Sequence, residues 1–341
     1  MSPAALIVTG YSGSMDKAKR KILLLGANGQ VGWELRRALI PLGDVVAYDI
    51  PDIDFTNLDQ LANLVDQCQP NIIVNAAAYT AVDKAESHYD LVQKINATAV
   101  KLLAEKAIQY NALLVHYSTD YVFNGESKTP YKETDQPNPQ SVYGVTKLQG
   151  EQYIQASGCS YLIFRTSWVY AARGANFAKT MIRLAAERDA LKVVNDQIGA
   201  PTSAELIADV TSHCLLSCLS GNLSISSSIS SLGSPLGGTT KTQNNQVTVS
   251  GIYNLVPTGE VSWFGFAQFV IKLAENYGVT LKLSANQLQP ILTTEYPTPA
   301  QRPKNSRLDV SKIQQTFGIY LPNWRQHAQR LIEELYTEGP V

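Results

Sequence analysis

The sequence has few cysteines, no excess of either charge and no long apolar run. Its 341 residues include 4 cysteines, and 28 Lys and Arg residues against 29 Asp and Glu residues leave a net charge of −1. So small a charge gives no reason to expect nucleic acid or an anionic membrane surface as the main partner. No apolar run is long enough to span a bilayer, and the N-terminus lacks the basic and apolar stretches of a signal peptide. We therefore expect a cytoplasmic protein with no membrane partner.

The few cysteines also argue against a zinc site. Cys68, Cys159, Cys214 and Cys218 are scattered, as is usual in a reducing compartment. Cys214 and Cys218 lie one helical turn apart and follow His213, but no second pair of ligands lies nearby. We interpret them as buried thiols. No cluster of carboxylates has the spacing of a cation site, so the spacing of residues leaves the use of a metal unknown.

Strand and helix patterns alternate from residue 21 onwards. Near-continuous apolar runs separated by amphipathic segments are typical of a parallel sheet covered by helices on both faces. The predicted strands are residues 21–25, 44–48, 71–75, 112–118 and 161–165. The predicted helices are residues 30–42, 58–67, 91–110 and 142–156. The fold class is therefore α/β, a Rossmann-like doubly wound parallel sheet.

Two stretches interrupt this alternation. Residues 1–20 contain a short apolar run and a glycine turn, but the segment after that turn is too short and too charged for a packed helix, so we expect a loose extension. Residues 221–250 are rich in Ser, Gly, Thr, Asn and Gln. Such a segment cannot bury enough apolar surface to offset its ordering entropy. We predict a mobile polar insertion between a helix ending near Leu219 and a strand at residues 251–256.

Three glycines follow the first predicted strand and precede an amphipathic helix. Gly26, Gly29 and Gly32 stand where the backbone must turn tightly beside a pyrophosphate, which would sit at the positive end of the helix. Their spacing is G-x-x-G-x-x-G, not the commoner G-x-G-x-x-G, and an ordinary strand-to-helix turn is the alternative. Asp49 ends the next apolar run, at the distance where an acid binds the adenosine ribose. These residues together predict a dinucleotide site.

A tyrosine and a lysine provide the candidate chemistry. Tyr143 and Lys147 are four residues apart, so both side chains project from one helix face. A free tyrosine has a pKa of about 10, and an ammonium beside it would lower that pKa toward the range of a useful general acid. Such a pair is weak evidence alone, but Thr119 and Asp120 precede it at the end of a predicted strand. A threonine at that position could also be only a turn former.

Seven blocks carry a resemblance to a known family. They are residues 26–35 (GANGQVGWEL), 75–86 (NAAAYTAVDKAE), 118–125 (STDYVFNG), 143–147 (YGVTK), 165–170 (RTSWVY), 195–202 (NDQIGAPT) and 302–309 (RPKNSRLD). In this order the blocks resemble the extended short-chain dehydrogenase/reductases and, within them, the dTDP-4-dehydrorhamnose reductase family. The resemblance runs from about residue 21 to residue 335, apart from the polar insertion.

The resemblance implies two domains and a set of site residues. It implies an NAD(P)-binding domain at residues 21–170 and a smaller, mixed α/β, mainly substrate-binding domain at residues 171–338. The implied cofactor-binding residues are Gly26, Gly29, Gln30, Val31, Gly32, Asp49, Asp54, Phe55, Ala78, Tyr79, Thr80, Tyr117, Tyr143 and Lys147. The implied catalytic residues are Thr119, Tyr143 and Lys147. The candidate substrate contacts are Thr119, Asp120, Trp168, Asn176 and Arg302, and structural roles remain open for the last three.

The implied reaction is reduction of the 4-keto group of dTDP-4-dehydro-6-deoxy-L-mannose to dTDP-L-rhamnose by NADPH or NADH. Thr119 would hydrogen-bond the ketone oxygen and Tyr143 would protonate it. The charge of Asp49 should repel a 2′-phosphate, which favours NADH, but both cofactors stay open. Bound Mg²⁺ and a homodimer are further expectations from the resemblance alone.

Two other functions remain to be weighed. Sugar-nucleotide dehydratases of the same superfamily carry an Asp-Glu pair after the catalytic threonine, whereas Asp120 is followed here by Tyr121. A tyrosine is a poor base at neutral pH, which argues against dehydration. A non-catalytic NAD(P)-binding regulatory subunit, resembling that of methionine adenosyltransferase, is the alternative from a different class.

Overall fold

The structure, a computed structural model, describes residues 20–219 and 249–337. Its strands are β1 (Lys21–Leu25), β2 (Asp44–Tyr48), β3 (Ile72–Asn75), β4 (Leu113–Thr119), β5 (Tyr161–Thr166), β6 (Val169–Tyr170), β7 (Lys192–Val194), β8 (Ile198–Gly199), β9 (Thr202–Ser203), β10 (Gly251–Asn254), β11 (Val261–Ser262) and β12 (Gln289–Ile291). Its helices are α1 (Gln30–Leu39), α2 (Leu58–Cys68), α3 (Val82–Ala85), α4 (Tyr89–Gln93), α5 (Ala99–Gln109), α6 (Val142–Ser157), α7 (Phe177–Glu187), α8 (Ala204–Leu219), α9 (Trp263–Asn276), α10 (Ser311–Phe317) and α11 (Trp324–Tyr336).

The main sheet has six strands in the order β10-β5-β4-β3-β1-β2, and every neighbouring pair is parallel. Its first five strands along the sequence come from the first half of the chain, and β10 comes from the second. The five predicted strands are confirmed to within one residue at each end. The chain runs outward from β1 to β2 and then returns past β1 to β3. In sheets of this kind, ligands bind outside the carboxyl ends of the strands where the strand order reverses.

Helices cover both faces of this sheet, so the predicted doubly wound fold is confirmed. Ile22 and Leu24 pack on one face in a cluster that includes Leu35 of α1 and Ile207 of α8. Alternate β1 residues such as Leu23 pack on the other face with α2, α5 and α6. Because side chains alternate along a strand, a strand buried on both faces is apolar throughout, as the sequence of β1 is.

Two predicted helices differ from the observed ones. The first ends at Leu39, and Ile40–Leu42 forms a 3₁₀ turn that contains Pro41, which lacks the backbone N–H that an α-helix needs. The long helix predicted at residues 91–110 is observed as α4, a π-helical turn at Lys94–Thr98, and α5. π-Helical turns often mark functional sites.

The second half of the chain has its own core. Phe266 of α9 and Trp324 of α11 pack with α7 and with Tyr170 of β6 in one buried cluster. Three two-stranded sheets accompany it: parallel β7–β12, antiparallel β8–β11 and parallel β6–β9. Within the two described ranges, no helix is long and apolar enough to cross a membrane.

The two halves interleave along the sequence. α8 packs on α1, and β10 pairs with β5, so both belong to the six-stranded sheet and its covering layer although they follow residue 170. The residues at 171–338 therefore do not form one continuous unit. The predicted extension lies outside the described residues except for Arg20, and the predicted insertion lies outside them except for Val249 and Ser250.

Candidate active site

Two glycines of the turn after β1 have no room for a side chain, whereas the third has open space beside it. Gly26 has a φ of +78°, and a Cβ there would strike the backbone of Ala77 after β3. A Cβ at Gly32 would overlap the carbonyl oxygen of Gly26. A Cβ at Gly29 would meet nothing closer than that same oxygen, at 3.4 Å. The fold itself therefore requires Gly26 and Gly32, whereas the space beside Gly29 remains available to a ligand.

The N-terminus of α1 has no side-chain cap. Gly29 is the N-cap residue, in an extended conformation, and no side chain accepts a hydrogen bond from the first turn at Gln30 and Val31. Uncapped N–H groups and the helix dipole make such an end suitable for a phosphate. Among the predicted cofactor residues, these fit a pyrophosphate best.

Asp49 lies at the carboxyl end of β2 and reaches back over the glycine turn. One carboxylate oxygen accepts a hydrogen bond from the Asn28 N–H at 2.7 Å, and the other accepts one from the Ile50 N–H at 2.7 Å. Each oxygen retains a second lone pair that a ribose hydroxyl could use. The position thus fits the predicted ribose contact.

The two residues predicted to flank the adenine differ in exposure. Asp54 is exposed, and its carboxylate accepts hydrogen bonds from the Thr56 hydroxyl and the Thr56 N–H, which lower the pKa of Asp54. Phe55 instead lies in the hydrophobic core with Leu61 of α2. The Phe55 ring is therefore committed to packing.

Asn96, which the sequence did not single out, fixes the loop after β3. Its buried side chain accepts a hydrogen bond from the Tyr79 N–H at 2.9 Å and donates one to the Tyr79 carbonyl at 3.1 Å. Ala78, Tyr79 and Thr80 lie in this loop at the sheet edge. The sequence offers one signal for this role, a polar amide among the apolar residues of a predicted helix. In the structure Asn96 lies in the π-helical turn.

Thr119 and Tyr143 come together at the end of β4. The Thr119 hydroxyl donates to a carboxylate oxygen of Asp120 at 3.0 Å and accepts from the Tyr121 N–H. Burial raises the pKa of Tyr143, and a hydrogen bond with Thr119 partly opposes that rise. The ring of Tyr121 meets the Tyr143 ring edge-on at 5.6 Å. Tyr143 therefore keeps its proton at neutral pH.

Lys147 is buried beside β4, and its nitrogen contacts two residues of that strand. Its ammonium nitrogen lies 2.5 Å from the Tyr117 carbonyl oxygen and 3.2 Å from the His116 imidazole Nε2. Burial lowers the pKa of Lys147 to about 8. The tuning of Tyr143 by Lys147 stays a prediction.

A buried ion pair anchors the helix that carries these residues. Glu151, one turn beyond Lys147, bonds Arg165 of β5 through both carboxylate oxygens, at 2.6 and 2.9 Å. The guanidinium also lies over the Phe123 ring, 5.0 Å from its centre. Two-point pairing of this kind fixes orientation as well as distance, so it holds α6 in register with the sheet.

Tyr117 faces away from the cofactor edge. Its hydroxyl lies 2.9 Å from that of Thr211 in α8, and its ring belongs to the cluster on the α1 side of the sheet. Its carbonyl oxygen is the atom that meets Lys147. A contact of the Tyr117 ring with the cofactor therefore gains no support.

Three buried polar atoms at this edge have no hydrogen-bond partner within the described chain: Ser118 Oγ, Asp120 Oδ2 and Thr166 Oγ1. Burial raises the pKa of Asp120 to about 6. Leaving a buried polar group unpaired costs about 1–3 kcal/mol. Such atoms fit a polar ligand that bonds them on binding.

Trp168 stands in a strained conformation on the substrate side. Its φ is +51°, which is an outlier for a bulky residue. Its ring stacks on that of Trp263 with 3.6 Å between the ring centres, and it covers Gly199, where a Cβ would come within 2.8 Å of the ring. Both partners are distant in sequence, and Trp263 was not predicted as a site residue.

Arg302 and Asn176 already have protein partners. Arg302 pairs with Asp83 at 2.6 Å and donates to the Tyr121 hydroxyl at 3.1 Å. Asn176 caps α7 by accepting from the Lys179 N–H, and it donates to Gln30 beside the glycine turn. Asn176 thus links the cofactor turn to the second half, whereas Arg302 lies close to Tyr143 through Tyr121.

A cleft of about 740 Å³ opens beside Arg302. Its lining includes the further cations Lys304 and Arg307 and the amides of Asn124 and Asn305. Cationic and amide side chains around an open cleft suit an anionic, polar ligand. Within residues 20–219 and 249–337, no group of three or more His, Cys, Asp or Glu side chains could hold a metal ion.

The chain matches known proteins over nearly its whole length. Residues 20–223 and 229–337 match the family model described as RmlD substrate binding domain. The dTDP-4-dehydrorhamnose reductase of Escherichia coli (strain K12) is 47% identical over 324 residues, which cover 94% of this chain and 99% of that protein.

Solved structures agree with this. The dTDP-4-dehydrorhamnose reductase of Bacillus anthracis str. Ames, in complex with NADP, has a TM-score of 0.78 at 32% identity and covers 93% of this chain and 99% of its own. The UDP-glucose 4-epimerase of Thermus thermophilus, in complex with NAD, has a TM-score of 0.71 at 15% identity, over 94% of this chain and 100% of its own, and shares the fold alone. The resemblance found in the sequence is confirmed, and the chain belongs to the dTDP-4-dehydrorhamnose reductase family.

Proposed function

We propose that the chain is an NAD(P)H-dependent ketoreductase that converts dTDP-4-dehydrorhamnose into dTDP-L-rhamnose, the activity for which its relatives are named. The observation that carries the proposal is the convergence of Thr119, Tyr143 and Lys147 at the sheet edge that also holds the glycine turn. A hydride donor and a proton donor must both reach the ketone for it to be reduced, and this edge brings their sites together.

Tyr143 is the proton donor in this proposal. When bound, the reduced nicotinamide supplies the hydride for the carbonyl carbon. Negative charge then develops on the ketone oxygen, where the Tyr143 hydroxyl donates its proton and Thr119 donates a hydrogen bond. Thr119 is free to do this by turning from Asp120, whose unpaired oxygen would accept a sugar hydroxyl.

Lys147 contributes charge and position. As the resemblance implies, it would hold the nicotinamide ribose while its ammonium favours the phenolate that Tyr143 becomes. Its present contacts with the Tyr117 carbonyl and the His116 ring occupy two of the three hydrogen-bonding positions around the nitrogen. One N–H is left for the ribose.

The chain's residues fit a dinucleotide at the glycine turn. The uncapped amides at Gln30 and Val31 would hold the pyrophosphate and Asp49 the adenosine ribose. Ala78, Tyr79 and Thr80 would line the path to the nicotinamide, with Asp54 near the adenine. The Asp49 carboxylate favours NADH over NADPH because a 2′-phosphate beside it would be repelled.

The substrate's diphosphate would bind in the cleft beside Arg302. A guanidinium fork can bind two phosphate oxygens, and Arg302 would exchange part of its pairing with Asp83 for such bonds. Trp168 on its Trp263 support would present a flat apolar face to the nucleotide sugar. Asn176 is better explained as a helix cap than as a substrate contact.

The two alternatives lose ground. Tyr121 has a pKa raised by burial to about 12, so it cannot act as the base of a dehydratase at neutral pH. No described feature favours a purely regulatory subunit, and the reported relatives are named as enzymes. The four free cysteines support a cytoplasmic location, and a homodimer remains a prediction.

The deciding experiment incubates the purified protein with dTDP-4-dehydrorhamnose and either NADH or NADPH. We expect loss of reduced-nicotinamide absorbance that matches the dTDP-L-rhamnose formed. Parallel reactions with dTDP-glucose serve as the control for dehydration. No consumption with either cofactor would refute the proposal, and a 4-keto-6-deoxy product from dTDP-glucose would establish the dehydratase instead.

A further inference from the structure

A buried chain of hydrogen bonds lies under Lys147 and has no part in the reaction described above. His116 on β4 is fully buried, and its two ring nitrogens face Asn75 Nδ2 at 3.2 Å and Lys147 Nζ at 3.2 Å. Asn75 and His116 are paired residues of β3 and β4. The Asn75 side-chain oxygen accepts from the Ala77 N–H at 3.2 Å.

The bond from Ala77 determines where the hydrogens lie. A backbone N–H can only donate, so it holds the Asn75 oxygen on its own side and turns the amide NH₂ toward His116 Nδ1. Nδ1 must then accept. Burial and the neighbouring Lys147 lower the pKa of His116 well below its ordinary value, so the ring is neutral and carries one proton.

That single proton must sit on Nε2, which faces Lys147. An Nε2–H meets a hydrogen-bond acceptor only if Nζ has a free lone pair, which requires the neutral amine. The bonds then all run one way, from the Ala77 N–H through Asn75, His116 and Lys147 to the Tyr117 carbonyl. If Lys147 were an ammonium, its N–H would face the His116 Nε2–H, so two donors would meet. The only way to avoid this is to move the proton to Nδ1 and turn the Asn75 amide, which would break the bond from the Ala77 N–H.

We propose that Asn75 and His116 are a positioning pair that favours the neutral amine of Lys147, so that this lysine changes charge close to neutral pH instead of being a fixed cation. Other groups bear on the same nitrogen. Glu151, one turn along α6, favours the ammonium, but Arg165 of β5 is paired with it. Tyr143, one turn earlier, stays neutral through the same range because burial raises its pKa.

The direct test is the tautomer of His116 in the cofactor-free protein. Two-bond ¹H–¹⁵N spectra of protein labelled in its 4 histidines distinguish Nδ1–H, Nε2–H and the imidazolium. His116→Gln identifies the resonance. We expect Nε2–H at pH 9. An Nδ1–H ring at pH 9, or an imidazolium at pH 7, would overturn the proposal. The tautomer is read from the wild-type protein, and the variant serves only to assign the resonance.

The second test measures unfolding by denaturant between pH 8 and pH 10.5. Over this window Lys147 is neutral in the fold but charged in the unfolded chain, so its own contribution to the folding constant rises up to tenfold per pH unit. Buried cysteines and tyrosines such as Cys214 and Tyr117, whose pKa values are raised, contribute a fall that wild type and variants share, so the profiles are read as differences from wild type. A glutamine can turn its oxygen to an ammonium, so His116→Gln should shift the rise upward by about one pH unit. His213→Gln, the same change at an exposed site, should leave it unmoved. Identical profiles for His116→Gln and wild type would reject the pair's influence on Lys147.

A third arm rests on the proposed function. If charged Lys147 is the active form, kcat/KM should fall at alkaline pH as Lys147 loses its proton. His116→Gln should then move that fall about one pH unit higher. An unmoved alkaline fall counts against the pair. A protein with the expected tautomer but no reductase activity would sink the proposed function and leave this inference intact.

Discussion

Placing one methyl group at Gly29 or at Gly32 should separate cofactor binding from folding. In the structure a Cβ at Gly29 would stand 3.4 Å from the Gly26 carbonyl oxygen, with nothing closer, whereas a Cβ at Gly32 would overlap that oxygen. Gly29 has a φ of −67°, which alanine also adopts readily. Gly29→Ala should therefore weaken cofactor binding, whereas Gly32→Ala should lower the stability of the fold.

The expected magnitudes follow from these positions. At Gly29, alanine is a poorer N-cap by roughly 0.5–1 kcal/mol, but it restricts the unfolded chain by about 0.4–1 kcal/mol, so the two effects nearly cancel. At Gly32, overpacking against fixed backbone should cost about 1–3 kcal/mol of stability. If the pyrophosphate uses the space beside Gly29, a comparable clash would weaken cofactor binding by about tenfold or more.

Thermal unfolding of the cofactor-free proteins, followed by fluorescence titration with NADH and NADPH, tests both claims. We expect Gly29→Ala to keep the wild-type Tm and lose cofactor affinity, and Gly32→Ala to unfold several degrees lower. Wild-type affinity in Gly29→Ala would show that the pyrophosphate does not lie against this turn. A Tm as low as that of Gly32→Ala would show that the space beside Gly29 is not open.

Four further outcomes are expected. Tyr143→Phe should lower kcat by about 10²–10⁴-fold with cofactor affinity nearly unchanged, and a steady-state rate above about a tenth of wild type would mean that another group is the acid. Asp49→Asn should raise the kcat/KM ratio of NADPH to NADH about tenfold, and an unchanged ratio would remove Asp49 from cofactor choice. The pKa of Asp120 is raised to about 6 in the fold, so its ionisation lowers the free energy of unfolding by its full amount above about pH 6 and not at all below about pH 4. Asp120→Asn should thus raise unfolding free energy at pH 7 by up to about 3 kcal/mol, with the gain vanishing toward pH 4 in denaturant titrations, and a pH-independent gain would contradict the assignment. Glu151→Gln should lower unfolding free energy by about 3–5 kcal/mol because it leaves Arg165 buried without its counter-charge, and a loss under about 1 kcal/mol would show that the pair is not a stability determinant.

The local parts of the fold could be predicted because each is encoded in a short stretch. β1 is apolar on both faces and ends in glycines, so its strand, turn and helix can be derived from neighbouring residues. Since parallel strands share one carboxyl edge, Thr119 and Asp49 could be assigned to a common edge as well. Pairing order could not be predicted in the same way, and the return of β10 to β5 depends on contacts across about ninety residues of chain.

The contents of the site were harder to predict where a side chain's partner is remote. Asn96 bonds Tyr79, and Trp263 stacks on Trp168. No residue near Asn96 or Trp263 in the sequence indicates these contacts. Phe55 is the converse case: it is predicted to flank the adenine, and its ring lies in the core. The resemblance supplies residue roles, but only the fold shows which atoms of a residue remain free to play them.

The pairing of β10 with β5 affects how the protein is made. A ribosome delivers β5 long before residue 251, so β5 emerges as an open strand edge with unpaired N–H and C=O groups. At about 5–20 residues per second, that edge stays unprotected on the order of ten seconds. Open edges invite pairing with other chains, so nascent molecules are most prone to aggregation in this interval. A fragment that stops at residue 170 lacks β10 and keeps β5 as an open edge, so we expect such a truncation of the nucleotide-binding half to aggregate.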